Sequence, residues 1–171
     1  MASRKTPKRP SLPDKVAVRA ALSATLHAAL ATMARSAEDA RQGATHEENR
    51  SEGDKDMRAT EQSYVARGQA MRAEQLAEEA ARLDALVLRS FGEDDPIAPG
   101  ALVRVRVDDE PRVLFVVAQG GGTELLIDGV KVTVLTPLSP AGRLLVGKQV
   151  GDEFELAAAG RTRTWEIDAV A

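Results

Sequence analysis

The chain has 171 residues, 23 Lys and Arg against 26 Asp and Glu, and a formal net charge of −3, a length suited to one ordinary domain or two small ones. Aromatic residues make up 3 %, so its core has to be aliphatic, and the absence of cysteine excludes disulfides, thiolate metal sites and thiol nucleophiles together. Alanine dominates the first half and valine the second, which predicts two regions of different secondary structure.

Residues 1–13 combine Pro7, Pro10 and Pro13 with Arg4, Lys5, Lys8 and Arg9. This composition reads as a disordered basic arm that solubilises the chain or touches nucleic acid in a weak or indirect way. The arm precedes an alanine-rich run, superficially like a secretion signal. Arg19 and His27 interrupt the run, and its apolar residues recur at helical intervals, so no signal peptide and no membrane association are expected. A cytoplasmic setting agrees with the lack of cysteine.

From Asp14 onward Val18, Leu22, Leu26, Leu30 or Ala29, Met33, Ala37 and Ala40 follow steps of three and four, the stripe of an amphipathic helix. Pro13 and Asp14 mark its start and Gly43 its stop. A second helical segment places Met57, Tyr64 and Met71 seven apart, and also Leu76 with Leu83 and Ala80 with Val87, the spacing of a coiled-coil seam. The short interval between the segments predicts an antiparallel coiled-coil hairpin over 14–91. Its first helix, from Asp14 to Gly43, would be roughly 45 Å long at the helical rise per residue. Gly68 lies inside the second helix at a cost of about 1 kcal/mol relative to alanine.

The turn of this hairpin, residues 46–56 (HEENRSEGDKD), holds Glu47, Glu48, Glu52, Asp54 and Asp56 against Arg50 and Lys55. One reading is a solvated loop whose Asp54 and Asp56 cap the next helix near its positive end. The other is a working tip that carries carboxylates to a cationic or metal-bearing partner. The calcium-loop ladder of acidic residues is not matched. His46 reads as a surface residue.

Residues 92–100 (GEDDPIAPG) are rich in turn formers and read as a linker. Beyond it ALVRVRV, RVLFVVA, KVTVLTP, FELA and RTRTWEIDAV predict strands, with QGGGTE as a flexible turn. The glycines there lack the lysine and following helix of a phosphate loop. Ser139 is placed to cap a short helix with Pro140 at its first position, Leu144, Leu145 and Val146 on its buried side and Gly147 at its end. Residues 101–171 therefore predict a small antiparallel sheet with one short helix, and the whole chain an α+β fold.

The segment LTPLSPAGRLLVGKQVGDEFEL resembles the carboxy-terminal signature of the bacterial Gre transcript cleavage factors. Its matching residues are Ser139, Pro140, Arg143, Leu145, Gly147, Lys148, Gly151 and Asp152. The resemblance extends to a long helical hairpin with an acidic tip, and so covers nearly everything beyond the basic arm. It implies an FKBP-like carboxy-terminal domain without prolyl isomerase activity. It also implies docking to core RNA polymerase through Ser139, Pro140, Arg143 and Lys148, with the hairpin reaching down the secondary channel. On that pattern Glu47, Glu48, Asp54 and Asp56 are the candidate catalytic carboxylates, and Glu48 and Asp54 the candidate ligands of a Mg²⁺ held jointly with the polymerase. Such a factor is not an enzyme by itself and takes no small-molecule substrate.

The tip departs from the family pattern. Aligning Glu48 and Asn49 with the family's Glu-Asn puts Thr45 where a key aspartate belongs, and threonine does not replace a carboxylate ligand. A non-cleaving channel regulator is therefore the neighbouring reading. A coiled-coil adaptor with a docking sheet domain is the reading from another class. A free-standing isomerase is disfavoured because Phe154 and Trp165 suit a core role, and a hydrolase triad because His27 and His46 lie near no nucleophile motif.

Overall fold

The computed structural model describes residues 11–47 and 55–171, with side chains described outside residues 40–63. The chain forms α1 (Lys15–Glu47), α2 (Lys55–Asp84), β1 (Leu102–Val107), β2 (Glu110–Val116), β3 (Glu124–Ile127), β4 (Val130–Leu135), α3 (Pro140–Leu145), β5 (Glu153–Ala158) and β6 (Arg161–Val170). This is an α+β fold. It divides into two compact units, the first joining the start of α1 as far as Leu22 with Ala85–Ala171, the second spanning Ser23–Asp84.

Asp14 caps α1 by accepting from the backbone N–H groups of Val16 (3.1 Å) and Ala17 (3.3 Å), two of the donors a helix start leaves unpaired. The helix does not stop at Gly43 but runs on to Glu47. Glycine ends a helix only where the chain turns into the left-handed region; inside a helix it merely weakens it.

Among the described residues of the Ser23–Asp84 unit, Leu26, Ala80 and Leu83 are buried. Leu30, Met33, Ala73 and Leu76 are half-buried around them. The α2 stripe thus steps 73, 76, 80 and 83, by three and four residues, and keeps Leu76 and Leu83 of the expected sevenfold spacing on its buried side. Tyr64 and Met71 are 71 % and 55 % exposed, and Val87, beyond the end of α2, is 86 % exposed. These members of the expected sevenfold seam do not face a partner helix. At about 100° of turn per residue, Met71 and Leu76 stand about 140° apart, so one seam does not hold both. Ser23 Oγ donates to Asp84 Oδ1 (2.5 Å), and His27 Nε2 lies 2.9 Å from Asp84 Oδ2, so one carboxylate at the end of α2 bridges two successive turns of α1.

The other unit is built on a six-stranded sheet in the order β3-β4-β2-β1-β6-β5. All neighbours are antiparallel except β2 and β4, which run parallel from Val113 beside Val132 to Val116 beside Leu135. The sheet is therefore mixed, where a purely antiparallel one was expected. The reason is β3, to which the sequence reading assigned no strand: β3 pairs with the outer side of β4 and returns the chain so that β4 enters beside β2 in the same direction. Three two-residue turns close the hairpins with both central residues at positive φ: Asp108-Asp109 (49° and 69°), Asp128-Gly129 (50° and 79°) and Ala159-Gly160 (51° and 74°). Turns of that hand match the twist of the strands they join.

Both faces of the central strands are buried. On one, Val103, Val105, Val107, Leu114, Val116, Trp165 and Ile167 pack with Ala141 and Leu145 of α3 and with Phe91 and Ile97. Ile97, inside the segment read as a linker, is 1 % exposed and exchanges backbone hydrogen bonds with Gly147 and Lys148. Phe154 and Trp165 stack at 5.5 Å between ring centroids, which gives these aromatics the core role expected. On the other face Leu102, Val113, Phe115, Val132 and Val134 are buried. There β1 and β6 also carry cross-strand ion pairs, Arg104 with Asp168 at 2.7 Å and Arg106 with Glu166. Gly120 seats the start of α1: a Cβ there would lie 2.8 Å from Leu22 Cδ1, so the glycine-rich loop serves close packing.

Candidate functional site

The segment from Thr136 to Asp152 is held by its own local chemistry. Ser139 Oγ accepts from the Gly142 N–H at 3.1 Å and donates to the Thr136 carbonyl at 2.7 Å, fixing the entry to α3, with Pro140 at the first helical position. Gly142 is obligatory in this turn, because a Cβ on it would stand 2.0 Å from the Thr136 carbonyl oxygen. Val146 caps the far end, its N–H donating to the Gly142 carbonyl, and Gly147 follows at φ +86°. The Gly147 N–H then donates to the Ile97 carbonyl, and the Ile97 N–H to the Lys148 carbonyl, each at 2.8 Å.

Gly151 and Asp152 perform a second turn. Gly151 sits at φ +90° and its N–H donates to the Ile167 carbonyl, while the Asp152 carbonyl accepts from Ile167. Asp152 Oδ2 accepts from the Gln149 N–H at 2.9 Å, an Asx-type closure of the turn. Gln149 in turn donates its side-chain amide to the Asp94 carbonyl.

The signature residues thus separate by role. Ser139, Leu145, Gly147, Gly151 and Asp152 build the scaffold; Leu145 is fully buried. Pro140 and Arg143 are exposed, and Lys148 is half-buried with its ammonium 5.9 Å from the Phe154 ring centroid. Of the expected buried run, Leu145 is buried and Val146 packs half-buried against the core, whereas Leu144 is 37 % exposed; Ala141 and Gly142 complete the buried side of α3. Leu138, just before the cap, is 77 % exposed. The segment thus exposes two apolar side chains, Leu138 and Leu144, and one cation, Arg143.

The tip residues Glu47, Glu48, Asp54 and Asp56 lie outside the residues whose side chains are described, as do Thr45, His46 and Glu52. Their donor set is all carboxylate oxygen, the class Mg²⁺ accepts while keeping several waters. Among the described residues no group of three His, Asp or Glu could hold a metal ion.

One polar constellation went unnoticed in the sequence. Ser23, His27 and Asp84 come together across 61 residues, but the carboxylate lies between the hydroxyl and the imidazole. The imidazole does not contact the hydroxyl, so the trio lacks the relay of a hydrolase and acts as a clasp between the helices. No sequence signal could have found it, because it depends on the facing of two helices.

No family model and no curated protein matches the chain. Among solved structures it is similar to the GreA factor homolog 1 (Gfh1) of Thermus thermophilus, at 19 % identity and TM-score 0.36, over 87 % of this chain and 94 % of that one. Gfh1 of Thermus aquaticus is similar at 21 % identity and TM-score 0.36, over 85 % and 91 % of the two chains. The prokaryotic transcription elongation factor GreA/GreB of Nitrosomonas europaea is similar at 24 % identity and TM-score 0.34, over 56 % of this chain and 78 % of that one. The solved structures to which this chain is similar therefore include Gfh1 and GreA/GreB transcription factors, at remote identity throughout.

Proposed function

We propose that this chain is a cytoplasmic transcription elongation factor that docks on core RNA polymerase through the outer side of α3 and acts at the polymerase secondary channel. The observation that carries the reading is the division of labour in the Ser139–Asp152 segment. Its caps and left-handed glycines are used up in building one rigid turn-helix-turn, which leaves the side chains of Leu138, Arg143 and Leu144 exposed, with the half-buried Lys148 adding a second cation. An interface with an aliphatic centre and flanking cations fits an acidic, partly apolar partner surface.

The tip carboxylates would serve the polymerase active site, with Glu48 and Asp54 as ligands of a shared Mg²⁺ and Glu47 and Asp56 beside them. Bound there, a second Mg²⁺ supplies the activated water and charge stabilisation of two-metal hydrolysis. The chain is an accessory factor in this reading and shows no nuclease activity alone. The test is a stalled, backtracked elongation complex: the factor shortens the RNA from its 3′ end, and replacing Glu47, Glu48, Asp54 and Asp56 with alanine abolishes shortening while polymerase binding persists. Failure of Arg143→Ala to weaken capture of core polymerase would refute docking through α3.

Thr45, at the position where the family resemblance expects an aspartate, favours a second reading: a channel-binding regulator that occupies the site without cleaving. Inhibition of nucleotide addition with no RNA shortening distinguishes it in the same assay.

A further inference from the structure

At the junction of α1 with the segment that follows α2, two cations gather on one aromatic ring and a third stands one helical turn away. Lys15 Nζ lies 5.0 Å from the Phe91 ring centroid and Arg89 Cζ 4.0 Å from it. Lys15 donates to the Arg89 carbonyl, and Arg19, one helical turn further along the same face of α1, donates from Nη1 to the Leu86 carbonyl at 2.7 Å. All three belong to the unit that carries the sheet.

None of the three is paired with a carboxylate among the described residues. The nearest acid in sequence, Asp14, is turned to the backbone N–H groups of Val16 and Ala17. Burial, and then the charge of Arg89, push the Lys15 ammonium below the ordinary lysine range, and no anion counters them. Charge is also concentrated along the chain: residues 1–19 hold six of the 23 Lys and Arg and only one of the 26 Asp and Glu.

We propose that Lys15, Arg19 and Arg89 form a binding surface for the phosphodiester backbone of double-helical DNA. Charge complementarity favours a polyanion, and the fixed guanidinium of Arg89, stacked on Phe91, is suited to phosphate oxygens. The duplex is favoured over single strands because those are held largely by bases stacking on open aromatic rings. Phe91 is 7 % exposed, so it has no free face for a base. Contacts made only to phosphates read no sequence, so binding is independent of base order. This inference does not rest on docking to polymerase, and its test involves none.

The experiment measures anisotropy of a fluorescent duplex of about 20 base pairs with the full chain across a salt series, where each phosphate contact contributes about 0.9 to the slope of log affinity against log salt. The triple change Lys15→Gln, Arg19→Gln and Arg89→Gln is expected to reduce the slope by about 2 to 3, whereas Lys131→Gln, on β4, leaves it unchanged. Should the triple variant melt at a clearly lower temperature, the exposed Arg89→Gln alone replaces it, with an expected reduction of about 1. An unaltered slope overturns the proposal, because the basic arm would then account for all binding. Tighter binding of a single strand of equal length also overturns it. So does loss of binding to phosphatidylglycerol vesicles in the variant with duplex binding intact.

Discussion

Gly142 and Arg143 are adjacent in α3, and substituting each with alanine should give opposite failures. A Cβ on residue 142 would stand 2.0 Å from the Thr136 carbonyl oxygen, 2.9 Å from the Thr136 carbonyl carbon and 2.9 Å from Ser139 Oγ. Two of these are backbone atoms, so the strain is not relieved by rotating a side chain. Forcing volume into such a site costs about 1–3 kcal/mol. Displacing Ser139 Oγ also weakens the α3 cap, a loss of about 1 kcal/mol. A total of about 3 kcal/mol in a unit of this size lowers Tm by roughly 12–24 °C. The assay is thermal unfolding followed by Trp165 fluorescence, since the tryptophan stacks in the core that α3 covers. Arg143→Ala, whose side chain is exposed, should shift Tm by less than about 2 °C yet reduce capture of core polymerase. A Gly142→Ala chain that melts within about 3 °C of the parent would refute the claim that this glycine exists to let the backbone approach.

Leu145→Ala, at a fully buried position, should destabilise the sheet unit by about 2–5 kcal/mol in urea unfolding. Asp84→Asn keeps the size of the side chain but removes the charge shared by Ser23 and His27; because His27 and Asp84 are half exposed, the expected loss in helix stability by circular dichroism is about 1 kcal/mol or less. Lys15 should titrate below the ordinary value of 10.5 by nitrogen NMR, and Arg89→Gln should move it part of the way back, leaving the larger effect of burial. Its sign for stability follows: a lysine depressed in the folded state is a penalty near neutral pH, so Lys15 contributes rising stability as pH climbs through its folded value towards that of free lysine.

The helices and most strands were legible because their signals are local. β6 runs over Arg161–Val170, the very stretch whose alternation predicted it, and Ser139 caps α3 through the bond its position implied. β3 was missed because four residues are too few to establish a period, although Asp128-Gly129 is a strong hairpin signal that pointed back to it. In the Ser139–Asp152 segment, the sequence located α3 and its cap but not the task of each residue. Gly142 fell at a variable position of the motif and is a steric necessity, and Leu144 proved exposed.

Spacing along the chain was enough to decide that an alanine-rich helical half precedes a valine-rich sheet half, since periods of 3.6 and 2 are set by neighbours in sequence. The tertiary structure alone decided that the buried side of α2 runs through Leu76 and Leu83 and leaves Met71 exposed, that β4 enters the sheet parallel to β2, and that the start of α1 belongs with the sheet. It also decided that Lys15 and Arg89 share the Phe91 ring while Arg19 reaches the Leu86 carbonyl one turn along α1. Such facts depend on contacts between residues far apart in the chain. A local hydrophobic pattern says which side chains leave water but not which partners they meet.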